Sequence, residues 1–302
     1  MIELQIQLFI LLAVGYAAGK KKILDANARD KVTSLIIKII LPCSIILSFQ
    51  MELSFNTIRG TIEVLIAALL IQVFYLLLNT FLWRKLPKDE AISCKYGTMV
   101  TNASFIGLPI ASALYGNTGL LYASIFVLPQ RIMMWAYGLP LYTGKTEKNL
   151  ARRILLHPCI ASIFIGIVLM IPYNFGYPIP SALAAAMHSL SGCTTALCMI
   201  VIGGIMSEMK ISEFFNLHAL YYSIWRLLLI PLLVLAVSYL FSMTEVSRGV
   251  SILLTAIPAP TTVVILAQQY DRKPAFASQL MFLSTLGSMI TMPFIIWILQ
   301  TF

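Results

Sequence analysis

Long apolar stretches separated by short polar turns run through almost the whole of this 302-residue chain. Ten of them approach the length of roughly 20 mostly apolar residues that a helix needs to cross a bilayer. These stretches, numbered 1 to 10 in chain order, cover residues 4–20, 32–50, 58–83, 92–115, 118–141, 154–173, 180–206, 215–241, 247–269 and 275–300. Only 11% of the residues are charged, whereas a soluble domain carries about 25%. The sequence therefore predicts an all-α polytopic membrane protein with ten transmembrane helices.

The positive charges are unevenly distributed between alternate loops. The even-numbered loops hold only Arg59 and Arg248. The odd-numbered loops hold Lys20, Lys21, Lys22, Arg29, Lys31, Arg84, Lys85, Lys88, Lys95, Lys145, Lys148, Arg152, Arg153, Lys210, Arg272 and Lys273. Because basic loops stay in the cytoplasm, we expect both termini on the extracytoplasmic side of the plasma membrane. Topology then accounts for the net charge of +9, and no nucleic-acid partner is expected.

Ten helices divide into two halves of five, residues 1–150 and 151–302. Because five is odd, the second half is inverted relative to the first, as in many secondary transporters. Segment 4 is interrupted by TNASFIGLPI (101–110) and segment 9 by TAIPAPTT (255–262). Interruptions at corresponding positions of two halves are the best sequence indication of a transporter's binding site. We therefore predict a 5+5 inverted repeat with crossed, broken helices 4 and 9.

The predicted breaks depend on glycine and proline. Pro258 and Pro260 oppose a continuous helix, because an interior proline removes a donor and costs about 3 kcal/mol. Gly107 and Pro109 weaken segment 4 in the same way, and we expect them to end a half-helix. Unpaired backbone survives at membrane depth only where protein or water surrounds it, and the N-terminus of a half-helix favours an anion. A small polar cavity near the midplane is expected where the breaks meet.

Four motifs in chain order resemble the auxin efflux carrier family, which includes plant PIN-type carriers and bacterial malate-permease-like proteins. TNASFIGLPI resembles the Asn-x-x-Phe-x-Gly-x-Pro motif of the family's helix 4, and AIPAPTTVVILAQQY (256–270) resembles its proline-containing crossover. LPCSIILS (41–48) resembles the Leu-Pro segment of helix 2, and FASQLMFLSTLGSMITMP (276–293) the last helix. The loop at 142–153 departs from the plant carriers, in which it is long.

The resemblance implies an elevator-type carrier. Helices 1, 2, 6 and 7 would form a scaffold that joins two subunits into a homodimer. Helices 3, 4, 5, 8, 9 and 10 would form a mobile transport domain. Because the loop between helices 5 and 6 is short, we expect no regulation through it.

The candidate substrate-binding residues are polar side chains at or beside the breaks. They are Asn102, Ser104, Gln130, Arg131, Thr261 and Thr262. The resemblance places a polar residue of helix 5 at the substrate site, and Gln130 best matches that position. Arg131 has two interpretations, a pair with a substrate carboxylate or bonds to backbone carbonyls across a helix interface. Arg226 is expected to reach the membrane interface, as long basic side chains near helix ends do.

Neither break contains Asp or Glu. Because proton antiporters use intramembrane carboxylates, a sodium/proton antiporter is not expected. Neutral oxygens at the breaks could still hold Na⁺, so coupling to Na⁺ or H⁺ stays open, and no other cofactor is expected. His188, Cys193 and Cys198 do not have a zinc-site spacing, so no metal site is predicted.

The sequence as a whole predicts a secondary transporter for a small organic anion, a carboxylate such as malate or an auxin-like indole acid. Three alternatives are a channel-like or sensory membrane protein, a Na⁺ symporter on the same fold, and an intramembrane enzyme. The chain has no HExxH motif and its loops are too short for a catalytic domain. We therefore expect no enzymatic activity.

Overall fold

A computed structural model describes residues 2–52, 54–144, 152, 155–207 and 215–301. Every element of secondary structure within these ranges is helical, as the sequence predicts. The boundary between the predicted halves at 150 and 151 lies outside the described residues. So do four of the basic loop residues used for the predicted topology, namely Lys145, Lys148, Arg153 and Lys210.

The helices are named in chain order. They are α1 Ile2–Lys20, α2 Ala26–Ser48, α3 Phe55–Phe81, α4 Lys88–Met99, α5 Leu108–Met133, α6 Pro158–Asn174, α7 Ser181–Ser207, α8 Leu217–Ser238, α9 Glu245–Thr255, α10 Thr262–Gln269 and α11 Pro274–Thr301. Helix α5 is interrupted at Gly116, whose φ of 61° and ψ of −147° are not helical. Beyond Met133 it continues through a π-turn to Thr143.

Six helical stretches of the described chain are long and apolar enough to cross a membrane. They are Ala26–Ser48, Phe55–Phe81, Lys88–Thr143, Ser181–Ser207, Leu217–Ser238 and Pro274–Leu299. Segments 4 and 5 fall together in the third stretch. Segment 6 is missing from the six because its helix has only 17 residues, and segment 9 because it is interrupted between α9 and α10. The protein is a multi-pass membrane protein, and the prediction of ten crossings stays a prediction.

Several one-turn π-helices each end two residues before a proline. They are Ile36–Ile40 before Pro42, Ala103–Gly107 before Pro109, Met134–Gly138 before Pro140 and Trp225–Leu229 before Pro231. A proline ring clashes with the carbonyl four residues earlier and brings no N–H of its own. The π-turn lets the preceding residue bond one position further back, and Leu41 N–H accordingly donates to Ile36 C=O. These helices therefore continue past their prolines.

Packing divides the chain into two compact units. The first unit comprises Met1–Arg59, Ser104–Ser124 and Leu155–Met209, and the second comprises Gly60–Ala103, Ile125–Ile154 and Lys210–Phe302.

In the first unit, α1 packs closely against the C-terminal part of α7. A Cβ atom at Gly15 would overlap the Ile200 carbonyl oxygen, and one at Gly203 would overlap that of Leu12. Small residues permit this backbone approach between membrane helices.

In the second unit, α8 and α10 both pack against α11. Trp83, which is buried, lies beside Tyr222 of α8 with ring centres 5.6 Å apart. Its indole N–H donates to Asn79 Oδ1 at 2.9 Å, so this bulky residue is held at the end of α3. The second unit also contains both helix breaks, and it is there that most of the candidate site lies.

Candidate functional site

Two interrupted helices meet in the second unit. Helix α4 ends at Met99 and is followed by non-helical residues 100–102, while α9 ends at Thr255 and residues 257–260 are non-helical up to the start of α10. The Asn102 N–H donates to the Pro258 carbonyl at 3.0 Å. Pro258 and Pro260 therefore lie in the break between α9 and α10, and a backbone hydrogen bond joins this break to that of segment 4.

Gly107 and Pro109 do not lie at the break of segment 4. Gly107 closes the π-turn Ala103–Gly107, and Pro109 lies in the first turn of α5. The prediction that these two residues end a half-helix is wrong, and it placed the break a few residues too far along the chain. The physical reason is that a π-turn accommodates the proline, so the helix continues through it.

Gln130 holds the extended backbone of the α4 break. Its side chain is buried, Nε2 donates to the Thr101 carbonyl at 3.0 Å, and Oε1 accepts from Thr101 Oγ1 at 3.1 Å. Both the nitrogen and the oxygen of the Gln130 amide therefore form hydrogen bonds with Thr101, the residue next to Asn102. The structure brings Gln130 to the break, where it fixes the backbone of Thr101.

The other candidates of the second unit are partly exposed. Asn102 is on one break, and Thr261 and Thr262 follow Pro260 at the start of α10. Tyr96, which is fully buried, donates its hydroxyl to Thr262 Oγ1 at 2.9 Å and so connects α4 with α10. These contacts place Asn102 and the two threonines on the two segments that the Asn102–Pro258 bond joins.

Arg131 and Ser104 are placed differently from the others. Arg131 follows Gln130 on α5, is partly exposed, and has Nη1 3.5 Å from the sulfur of Met134 one turn further on. Both interpretations of Arg131 therefore stay open. Ser104 is buried and belongs to the first unit, whereas the other five candidates belong to the second.

A serine of α11 and an arginine of α8 also form hydrogen bonds with the backbone of the breaks. Ser284 of α11 accepts from the Ala259 N–H at 3.2 Å. Arg226 of α8 donates from Nε to the Ile257 carbonyl at 3.1 Å and from Nη1 to the Thr98 carbonyl at 3.3 Å. Backbone groups that have lost helical partners are satisfied here by side chains, as burial requires.

Arg226 corrects one of our expectations. Its side chain is 0% exposed, so it does not reach the membrane interface. Its position well inside the apolar run of α8 was the signal that could have indicated a buried role, since ionisable residues within a membrane generally face the protein interior. Sequence alone did not show that its partners would be the carbonyls of the two breaks.

A separate apolar groove of about 520 Å³ lies within the second unit between α3 and α8. Its lining includes Phe74, Leu233 and Ile252, and none of the candidate binding residues contributes to it. Among the residues that the structure describes, no group of three His, Cys, Asp or Glu side chains is arranged to hold a metal ion.

The fold defines a polytopic helical membrane protein in which two helix breaks are joined by a backbone hydrogen bond. The family described as membrane transport protein matches residues 1–296 of the chain. The chain belongs to this family, and the resemblance to the auxin efflux carriers is confirmed.

Two archaeal proteins are similar to the chain over almost its whole length. The chain is 22% identical over 300 residues to an uncharacterized transporter of Methanothermobacter thermautotrophicus. It is 22% identical over 299 residues to an uncharacterized transporter of Methanocaldococcus jannaschii. Each alignment covers 96% of this chain and 96% of the relative. Family and relatives together indicate a membrane transporter rather than an enzyme.

Proposed function

We propose that the protein is a secondary transporter that carries a small organic anion across the plasma membrane and binds it at the joined breaks. The observation that carries this proposal is the hydrogen bond between Asn102 and Pro258. It brings together two interruptions, one from each half of the chain. Discontinuous helices that meet in this way form the substrate sites of many secondary transporters.

The charge distribution supports an anionic substrate. Helix α10 begins at Thr262, and the partial positive charge at the N-terminal end of its dipole favours negative charge. Arg131 is partly exposed next to Gln130, and the sequence has neither Asp nor Glu in 98–107 or 254–262. A carboxylate such as malate or an indole acid matches this chemistry, because guanidinium and backbone N–H groups both bind carboxylates well.

The two packing units support an elevator mechanism. The first unit contains α1, α2, α6 and α7, the helices of the proposed scaffold. The second contains α4, α8 to α11 and all but the first turn of α3. The segment Ser104–Ser124 departs from this division, since it comes from proposed transport helices but clusters with the first unit. We propose that the second unit moves and that the first forms the dimer. The 5+5 inverted arrangement and extracytoplasmic termini are part of the same proposal.

Flux measurements in proteoliposomes test the proposed transport directly. We expect saturable uptake of at least one radiolabelled dicarboxylate or indole acid. Uptake no greater than in protein-free liposomes across a broad acid panel would contradict the proposal. Repeating the assay with a Na⁺ gradient and then with a proton gradient shows whether either ion is coupled. Unitary current steps in planar bilayers would favour the channel alternative.

The homodimer is tested by cysteine cross-linking in native nanodiscs. Ile39 of α2 and Leu77 of α3 are both exposed on apolar helices, at 45% and 58%. In a background with Cys43 and Cys193 replaced by serine, we expect Ile39→Cys to give a two-subunit species and Leu77→Cys to give none. A monomer for both variants, together with a monomeric mass for the wild type, would contradict the proposed dimer.

A further inference from the structure

Arg226 is a fully buried cation in the second unit. Among the residues that the structure describes, no carboxylate forms an ion pair with Arg226. Its guanidinium carbon lies 5.0 Å from the centre of the Tyr75 ring. A buried charge is costly unless other groups compensate it. The compensation here comes from the Tyr75 ring and from two backbone carbonyls.

Both carbonyls are at the C-terminal ends of interrupted helices. In a continuous α4, the Thr98 carbonyl would accept from Asn102 N–H, but that N–H donates to Pro258 instead. Ile257 follows the end of α9, where carbonyls have no intrahelical partner. Helix C-termini carry partial negative charge, which favours a cation there. Arg226 therefore supplies both a donor and a compensating charge to each broken helix.

An arginine is suited to this arrangement for a geometric reason. Its planar guanidinium holds several N–H donors in a fixed fork and stays charged, so Nε and Nη1 reach two acceptors at once. A lysine ammonium is a point charge on a flexible chain and does not fix two acceptors relative to each other. Gln72 also donates to the end of α4, at the Met99 carbonyl at 3.3 Å, but the structure shows no bond from it to α9.

We propose that Arg226 is a positioning residue that fastens the C-terminal end of α4 to that of α9 and so fixes the spacing of the two breaks. The link that Arg226 makes between the two helix ends rests on the geometry alone. Its consequence for substrate binding rests on the proposed function, because Asn102 and Thr261 lie only four residues beyond Thr98 and Ile257 respectively. The residue acts through the backbone of the breaks and needs no contact with the substrate.

Hydrogen exchange measured by mass spectrometry in nanodiscs tests the fastening. Arg226→Lys and Arg226→Gln are compared with the wild type and with the control Arg248→Gln, whose arginine stacks on Tyr239 in the same unit. We expect amide exchange in peptides covering both 98–102 and 255–262 to rise about 10-fold in both Arg226 variants, the effect of losing hydrogen bonds to a charged group. The Arg248 variant should leave both peptides unchanged.

Binding of malate and indole-3-acetate is measured on the same samples, together with the melting temperature. A positioning role predicts that folded Arg226→Lys loses about 10-fold or more in affinity for the acid that the wild type binds. Unchanged amide exchange in the peptides of both breaks, or faster exchange only in the peptide at the end of α4, would show that Arg226 does not link the two helix ends. A lower melting temperature with unaltered affinity would overturn the positioning role.

The variants and the wild type separate the two proposals. If Arg226→Gln does not fold, Arg226→Lys decides the result, because it keeps the charge and much of the side-chain volume. If the wild type binds and transports none of the acids, the proposed function fails. The exchange measurement still tests whether Arg226 holds the two helix ends together.

Discussion

The backbone N–H of Asn102 and the carbonyl oxygen of Pro258 lie 3.0 Å apart and join the two helix breaks. Proline at 258 leaves its own carbonyl as the only backbone hydrogen-bonding group of that residue. Asn102 in turn uses its N–H on this carbonyl rather than on that of Thr98. This hydrogen bond therefore couples the backbones of the two breaks. Four substitution pairs test contacts at the breaks and elsewhere in the two units.

Gln130→Ala and Asn102→Ala should weaken substrate binding without preventing expression or assembly. Gln130→Ala removes both hydrogen bonds to Thr101 and leaves the buried Thr101 carbonyl without its donor, a cost of about 1–3 kcal/mol. We expect the affinity for the transported acid to fall about 10-fold or more. Gln269 is exposed, and Gln269→Ala is the control. The affinity of all three variants and the wild type is measured by ligand-induced thermal shift. Wild-type affinity in both test variants would show that the site assignment is wrong.

Gly203→Ala should destabilise the first unit strongly. The added methyl group would overlap the Leu12 carbonyl, and backbone atoms cannot move aside as a flexible side chain can. We expect the free energy of unfolding to fall by about 1–3 kcal/mol or more, as for other overpacked sites. Gly192→Ala is the matched control on α7, because no atom lies within 4 Å of its added Cβ.

The control should be neutral or stabilise α7 by about 0.5–1 kcal/mol, the usual gain of alanine over glycine in a helix. Both variants are measured as thermal unfolding midpoints in the same detergent. Equal midpoints would show that α1 and α7 do not pack as tightly as described.

Glu63→Gln should loosen the N-terminus of α9. Glu63 Oε2 accepts from the Thr244 N–H at 2.7 Å and from Ser247 Oγ at 2.6 Å, and Thr244 is the N-cap of α9. The charge also interacts favourably with the helix dipole, so we expect a loss of about 1–2 kcal/mol. Glu245 is an exposed carboxylate in the same turn, and Glu245→Gln should lower the free energy of unfolding by less. A larger effect at Glu245 would contradict the capping role of Glu63.

Glu90→Gln should cost more stability than Asp89→Asn. The Glu90 side chain is 10% exposed and bonds His218 Nδ1 at 2.6 Å and Lys273 Nζ at 3.0 Å. Asp89 pairs with Arg272 at 3.3 Å and is 32% exposed. We expect Glu90→Gln to lower the free energy of unfolding by about 1–3 kcal/mol, because it weakens hydrogen bonds to a charged group. Asp89→Asn should lower it by less than about 1 kcal/mol, because its ion pair is solvated.

Thermal unfolding at low and high salt checks this comparison. The contribution of Asp89 should decrease with added salt and that of Glu90 should change less, because buried pairs are screened less. Equal costs with equal salt dependence would show that burial does not distinguish the two carboxylates.

The sequence predicted the class of fold, because long apolar stretches are sufficient to indicate a multi-pass helical protein. Two prolines separated by one residue lie in the stretch between α9 and α10. The position of the other break was missed because Pro109 is compatible with a helix once a π-turn precedes it. Local propensity identifies a proline but does not show how the surrounding turn adapts to it.

The contacts within the candidate site could not be predicted from local pattern. Gln130 and Thr101 are 29 residues apart, and their pairing depends on how α4 and α5 pack. Arg226 was expected at the interface, and whether an arginine reaches it or stays buried depends on acceptors supplied by other helices. Its acceptors, Thr98 and Ile257, come from opposite halves of the chain.

The π-turn Trp225–Leu229 has a consequence for how the direction of the Arg226 side chain is encoded. A π-turn is an α-helical turn with one residue inserted, and each residue of an α-helix turns the chain by about 100°. Shortening this turn by one residue would bring back the clash of the Pro231 ring with the carbonyl four residues earlier and would rotate every preceding side chain of α8 relative to those that follow Pro231. The buried charge would then point about 100° away from the breaks with no change in its chemistry. Chain length in this turn, as much as residue identity, directs the guanidinium toward its two carbonyls.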